Sequence, residues 1–423
     1  MESLLETPRT GAGVSKNATQ ALEQTTCDAN HAGSTNFESL LPELQFQILC
    51  LLDLHQLRAV IHASPSFHRQ YRHDRKYILR KSLEQTLGSV IVDAYAVLLL
   101  ATQSPKPGRL DFLQWYSKVT KARRLPHSDD ITEAAAIDMA IFFFRLADPV
   151  AEYYAYETLS CLSRNLEKHS FHRKSGHVLS SSETMRFRRA IYRFQLLSLL
   201  VDLSDTSIEL LRTQIAQDFI NMLEPWETEE AFAFYQYLQS TYHKVFADIS
   251  WDLNPKNPKS NGRGQRFISR GSYELDQGWL RCDYVEGTAL AGLSPLEVIF
   301  FHRVDRELVV STMERHMRKS HISLGMVAGI FGHLKQAKWR LSHPSERDRM
   351  RQEKTPFPFR GDGEPDAPPL GWTIIWGGVY CNLYGWHIPQ EIRRWGFVFW
   401  DAIRMEETRA VEMLRVQWEE DAR

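Results

Sequence analysis

From about residue 37 onward, apolar residues recur three or four positions apart and few segments alternate, a spacing that lines one face of a helix and predicts an all-α chain. Between Glu183 and Leu203 the apolar positions Phe187, Ile191, Phe194, Leu197 and Val201 step by three and four. Arg186, Arg189 and Arg193 fall mainly elsewhere on that helix, which predicts a solvated basic face. Start signals add to the periodicity. Ser294-Pro295-Leu296-Glu297 reads as a capping serine, a proline at the first helical position and a capping-box glutamate. Asp148-Pro149 nearly repeats it for a helix carrying Tyr153, Tyr154 and Tyr156. Residues 1–36 are rich in Thr, Ala, Gly, Ser, Asn and Gln, offer almost no core, and are expected to form a disordered tail. Further breaks fall at Thr102–Arg109 and as loops near 169–182, 254–271 and 343–371. No repeat of fixed period is visible.

The most informative stretch is Phe37 to Arg80. Leu41, Leu44, Ile48 and Leu51/Leu52 give one helix an apolar stripe, Pro42 suits its first turn and Glu43 the positive end of its dipole. Asp53 with Gln56 reads as a capping box opening a second helix through Leu57, Val60 and Ile61. Ser64-Pro65 starts a third, short helix with Phe67 and Tyr71. Three short helices have a poor surface-to-volume ratio, so an external surface must cover their apolar residues. Either the remaining chain or a partner supplies it.

Leu41-Pro42-Glu43-Leu44, Ile48-Leu49, Leu52, Leu57 and Ser64-Pro65-Ser66-Phe67 resemble the F-box motif, with Phe67 and Tyr71 where a tryptophan is usual. The segments Leu87–Tyr95 and Arg393–Asp401 look like parts of filamentous-fungal F-box proteins. The resemblance implies a tail at 1–36, an F-box-like three-helix module at 37–82 and a larger irregular helical domain at 83–423. It also implies docking of Leu41, Pro42, Leu44, Ile48 and Leu52 onto the adaptor subunit of a cullin–RING ubiquitin ligase, with an unidentified protein substrate held by the C-terminal helices. Such a substrate receptor belongs to the ubiquitin-conjugation pathway and is not itself an enzyme. A helical scaffold in which the same segment is internal packing is the alternative.

Lys and Arg (51) nearly balance Asp and Glu (52), so no global field steers the chain to nucleic acid or to an anionic membrane. Five scattered cysteines, with no C-x-x-C pair, suit a reducing compartment. The N-terminus lacks the pattern of a secretory signal, and the apolar run Ala94–Ala101 is too short to span a bilayer. These features point to a cytoplasmic or nuclear protein.

Chemical motifs are sparse. Asp129-Asp130-Ile131-Thr132-Glu133 matches the acidic D-D-x-x-E pattern of terpene cyclases, a metal-dependent all-α class, but Asp202–Glu209 puts Asp205 where the second motif needs a hydroxyl. An acidic pair there also suits a plain helix start. Cys161, His169, His172 and His177 have zinc-ligand chemistry without a zinc-site spacing. No phosphate loop, H-E-x-x-H or G-x-S-x-G occurs, so no catalytic residue, metal or cofactor is assigned. Trp372, Trp376, Tyr380 and Tyr384, beside Gly377 and Gly378, mark a candidate substrate surface, with core packing as the competing reading.

Overall fold

The computed structural model describes residues 37–102, 108–122, 131–169, 178–203, 205–254, 257, 278–320, 359–364, 367–376 and 388–421. Met1–Leu41 and Pro42–Arg423 are two separate units, and the helical fold belongs to the second. Among the described residues every regular element is helical, as the three-to-four spacing predicts. The tail at 1–36, residues 103–107, most of 254–271 and much of 343–371 lie outside them.

The expected helix starts are largely present. α1 (Pro42–Leu51) begins on its proline. α2 (Leu54–Ala63) opens with the Asp53–Gln56 capping box, Asp53 accepting from the Gln56 amide at 2.8 Å and Gln56 accepting from the Asp53 amide at 3.2 Å. Ser64 caps α3 (Pro65–His73), and Phe67 there is fully buried. α4 (Arg75–Leu87) then carries the chain through a short 3₁₀ turn into α5 (Ile91–Thr102), followed by α6 (Arg109–Ala122) and α7 (Glu133–Phe142).

At Asp148-Pro149 the structure differs in kind from a capped start. A π-helical turn at Phe143–Ala147 joins α7 directly to α8 (Asp148–Lys168), and Asp148 commits its carboxylate to His55 and Arg188 instead of a cap. α9 (Ser181–Val201), α10 (Arg212–Met222) and α11 (Pro225–Asp248) follow, then α12 (Gly278–Leu290), α13 (Ser294–Phe301) and α14 (Arg306–Ser320). In α13 the cap position falls on Leu293, one residue before the expected serine, and Glu297 pairs with Arg145 at 2.6 Å. The C-terminal part supplies α15 (Leu370–Trp376), α16 (Gln390–Arg394), α17 (Ala402–Glu407) and α18 (Ala410–Asp421).

α9 is the axis of the core, packed by α5, α8, α10 and α11. A helix covered from several sides must be apolar nearly all round, and Phe187, Ile191, Phe194, Leu197 and Leu200 are all buried. Its arginines therefore cannot reach water, and the expected solvated basic face is not there. Arg186, Arg189 and Arg193 are buried and paired. Arg189 binds Glu230 (2.5 Å), Arg193 binds Glu227 (2.8 Å) and Asp93 (3.2 Å), and Arg186 binds Asp362 (2.7 Å) and Asp401 (2.8 Å). Both of these glutamates sit in the first turns of α11, where Arg393 also meets Glu229.

The aromatic-rich stretch Trp395–Trp400 closes this core. Phe399 stacks on Phe187 with centroids 4.3 Å apart, and Trp400 meets the same ring edge-on. A Cβ on Gly371 would fall on the Phe397 carbonyl oxygen, so α15 approaches that stretch at a distance only glycine allows. Arg75–Thr102 is, by length and composition, apolar enough to cross a membrane. Here its side chains Ile78, Leu83, Leu87, Val92 and Leu100 are buried against protein, and Asp93 within it is paired.

Candidate functional site

α1 carries leucines on two faces. With 100° between successive residues, Gln45 and Leu49 fall on one side, while Leu44, Ile48 and Leu51 fall on the other. Gln45 and Leu49 point inward: Leu49 is 0% exposed, and the Gln45 amide donates to Ser66 Oγ at 2.8 Å. On the outer side Leu44 is 43% and Leu51 72% exposed, with Pro42 exposed and Ile48 half-buried. Leu41, in the other unit, is also exposed. Leu52 lies past the helix end and is half-buried, so Leu51 presents more apolar surface than the residue the motif selects. A face of this kind costs solubility unless something covers it.

The platform beneath that face is firmly held. α1 packs on α3 and α4, and Phe46 meets Tyr77 of α4 with centroids 5.4 Å apart. The start of α2 is tied down twice. Its Leu54 amide donates to Thr86 Oγ1 at 2.8 Å, and His55 Nε2 lies 2.8 Å from Asp148 Oδ2. Arg188 of α9 completes the junction, donating to Asp148 Oδ1 at 2.7 Å and to the Thr86 carbonyl at 2.8 Å. The hydrogen bond to Asp148 raises the His55 pKa above its ordinary value against the opposing effect of partial burial. The Phe143 and Phe144 rings flank the imidazole edge-on.

The second aromatic candidate divides. Trp372 is fully buried, edge-on to Trp226 at 5.3 Å, and so is core and not a recognition surface. Trp376 is half-buried against Trp418 at 5.6 Å. Tyr380 and Tyr384 lie outside the described residues. The reason for the burial of Trp372 is the glycine before it, which lets the helix sink onto the Trp395–Trp400 stretch.

Among the described residues the remaining motifs are not brought together into a site. Asp129 and Asp130 lie outside the described residues; Glu133 sits in the first turn of α7 behind the Thr132 cap. Asp202 and Asp205 both face Arg109, at 4.0 and 3.9 Å. Cys161 is half-buried beside Asn165, His169 approaches Gln417 at 3.4 Å, and His172 and His177 are not among the described residues. Among the described residues no group of three or more His, Cys, Asp or Glu side chains is placed to hold a metal. No protein family, curated protein or solved structure matches this chain.

Proposed function

We propose that this chain is a substrate-receptor adaptor of the F-box type, which docks through α1 onto the adaptor subunit of a cullin–RING ubiquitin ligase and holds a protein substrate elsewhere on its helical body. The observation that carries the reading is the outward leucine face of α1, with Leu44, Ile48 and Leu51 on a helix whose inner face is already satisfied by Leu49 and Gln45. The order of the three short helices, with a capping box at Asp53 and a capping serine at Ser64, supports it further. On this reading the chain performs no bond chemistry. It raises the effective concentration of a substrate lysine beside the charged conjugating enzyme.

The test is capture of the purified ligase adaptor by the full chain. Wild type is expected to bind, and Leu44→Asp or Ile48→Asp to weaken binding more than tenfold, since truncating a desolvated hot spot costs about 2 kcal/mol or more and a carboxylate finds no partner there. Arg303→Glu, exposed on the turn after α13, should bind like wild type. Failure of the intact chain to bind the adaptor ends the receptor reading and leaves the helical scaffold.

A further inference from the structure

Between α8 and α11 lies a cleft of about 440 Å³, closed at one side by α16. Each long helix gives it one face at helical spacing: Tyr154, Cys161 and Lys168 from α8, and Ala233, Tyr237 and Lys244 from α11. The charges along its walls are unequal. Among the described residues five cations line it against the single acid Glu157, and since Arg393 is neutralised by the buried Glu229 behind it, four remain: Arg164, Lys168, Lys244 and Arg394. None of the four has a carboxylate in ion-pair contact among the described residues. Among the described residues Arg164 reaches the Ser160 carbonyl at 3.3 Å and the Cys161 thiol, neither of them a carboxylate.

This excess is local, because the whole chain carries a net charge of only −1. Clustered unpaired cations repel one another, and fold stability alone gives no reason to gather them. They also converge. The charges of Arg164 and Arg394, from two different helices, both act on the Cys161 thiol, whose pKa burial nonetheless holds up. Deeper in, the wall is aromatic: the Tyr154 and Tyr237 rings lie 4.5 Å apart at 36°. Both hydroxyls are buried there, and among the described residues their side-chain neighbours for hydrogen bonding are Thr158 and Thr241, one turn along and in poor alignment. The Gln236 amide oxygen in the same wall is buried and has no partner among the described residues.

A cleft of this volume falls in the small-molecule range, which runs from about 300 to 1,000 Å³. Its mouth offers guanidinium forks and ammonium groups, the donors that recognise phosphate oxygens, and its interior offers the half-buried Tyr237 ring and the Gln236 amide oxygen. We propose that the α8–α11 cleft binds a small ring-bearing organic phosphate, its phosphate held by Arg164, Lys168, Lys244 and Arg394 and its ring seated against the half-buried Tyr237. The site does not depend on the adaptor reading, and either can fail without the other.

Calorimetric titration of the full chain at low ionic strength tests it with three probes: adenosine 5′-diphosphate, inorganic pyrophosphate and adenosine. The diphosphate should bind saturably at one site per chain, pyrophosphate more weakly and adenosine weakest. Arg164→Glu and Lys244→Glu, both at exposed positions, should each weaken the diphosphate about tenfold or more. Arg415→Glu, exposed on α18 outside the cleft, should change little. Circular dichroism confirms that each variant is folded, and Arg164→Gln with Lys244→Gln replaces any that is not. The proposal is overturned if neither phosphate probe binds saturably, if adenosine binds as well as its diphosphate, or if Arg415→Glu weakens binding as much as the cleft variants do.

Discussion

Arg189 and Arg193 sit one turn apart on α9, and each reaches a glutamate in the first turns of α11. Burial by itself raises the pKa of every carboxylate in this network, and in Asp93, Glu229 and Glu230 it prevails over their arginines. Glu227 goes the other way. Burial opposes ionisation there too, but Arg193 and Arg189 together outweigh it and hold the carboxyl at about 2 against an ordinary 4.5. Since the folded value lies below the unfolded one, ionised Glu227 stabilises the fold at every pH above 4.5, and that contribution is lost as pH falls towards 2. Glu227→Gln keeps the shape and removes the charge, leaving Arg193 undercompensated, so at neutral pH it should cost on the order of 3 kcal/mol in urea denaturation. The gap between wild type and variant should then narrow as pH drops below 4.5, and a gap independent of pH refutes the assignment. Sequence spacing alone could not place these arginines inside. Their own helix shows only that they avoid the apolar positions; the acids that permit their burial lie in another helix, in the run Glu227, Glu229, Glu230.

The junction of α2 with α8 and α9 shows how an element's start can be legible while its anchor is not. Asp53 and Gln56 form the box that their three-residue spacing predicts, because both partners of a capping box are local. Asp148 also looks like a helix start, yet its carboxylate faces His55 and Arg188, residues 93 and 40 positions away. Long-range partners of this kind leave no periodic trace, and neither does the π-helical turn that fuses α7 to α8. The His55–Asp148 contact makes the stability of this junction depend on pH. The groups facing the imidazole are Asp148, Asp53 and Arg188, with the Phe143 and Phe144 rings. Their sum raises the pKa of His55, so its stabilising contribution is fully present below the ordinary 6.5 and is lost as pH rises through the raised value. His55 is half exposed, which keeps the effect modest. His55→Gln should lower the melting temperature in mildly acidic buffer and match wild type in alkaline buffer. A pH-independent difference means that the imidazole acts by packing alone.

For the molecule as a whole, helical periodicity was enough to set the fold class, because amphipathic spacing is a property of each segment by itself. The orientation of α1 needed more. Its leucines recur on both sides, and spacing cannot say that Leu49 turns to the core while Leu44 and Leu51 turn out. Trp372 poses the same problem, since only its contact with Trp226 and the approach of Gly371 to Phe397 assign it to the core. The two faces of α1 can be separated by stability measurements alone. Leu49→Asp places a carboxylate where the side chain has no exposure, so the chain should fail to fold or melt many degrees lower. Leu51→Asp, two residues on at a site 72% exposed, replaces an apolar surface group with a charged one and should stay within about 0.5 kcal/mol of wild type, a shift of a degree or two. A melting loss at Leu51→Asp comparable to that at Leu49→Asp means the outer leucines are covered in the free protein. The face that carries the docking proposal would then be unavailable, and the helical scaffold would be the better account of this chain.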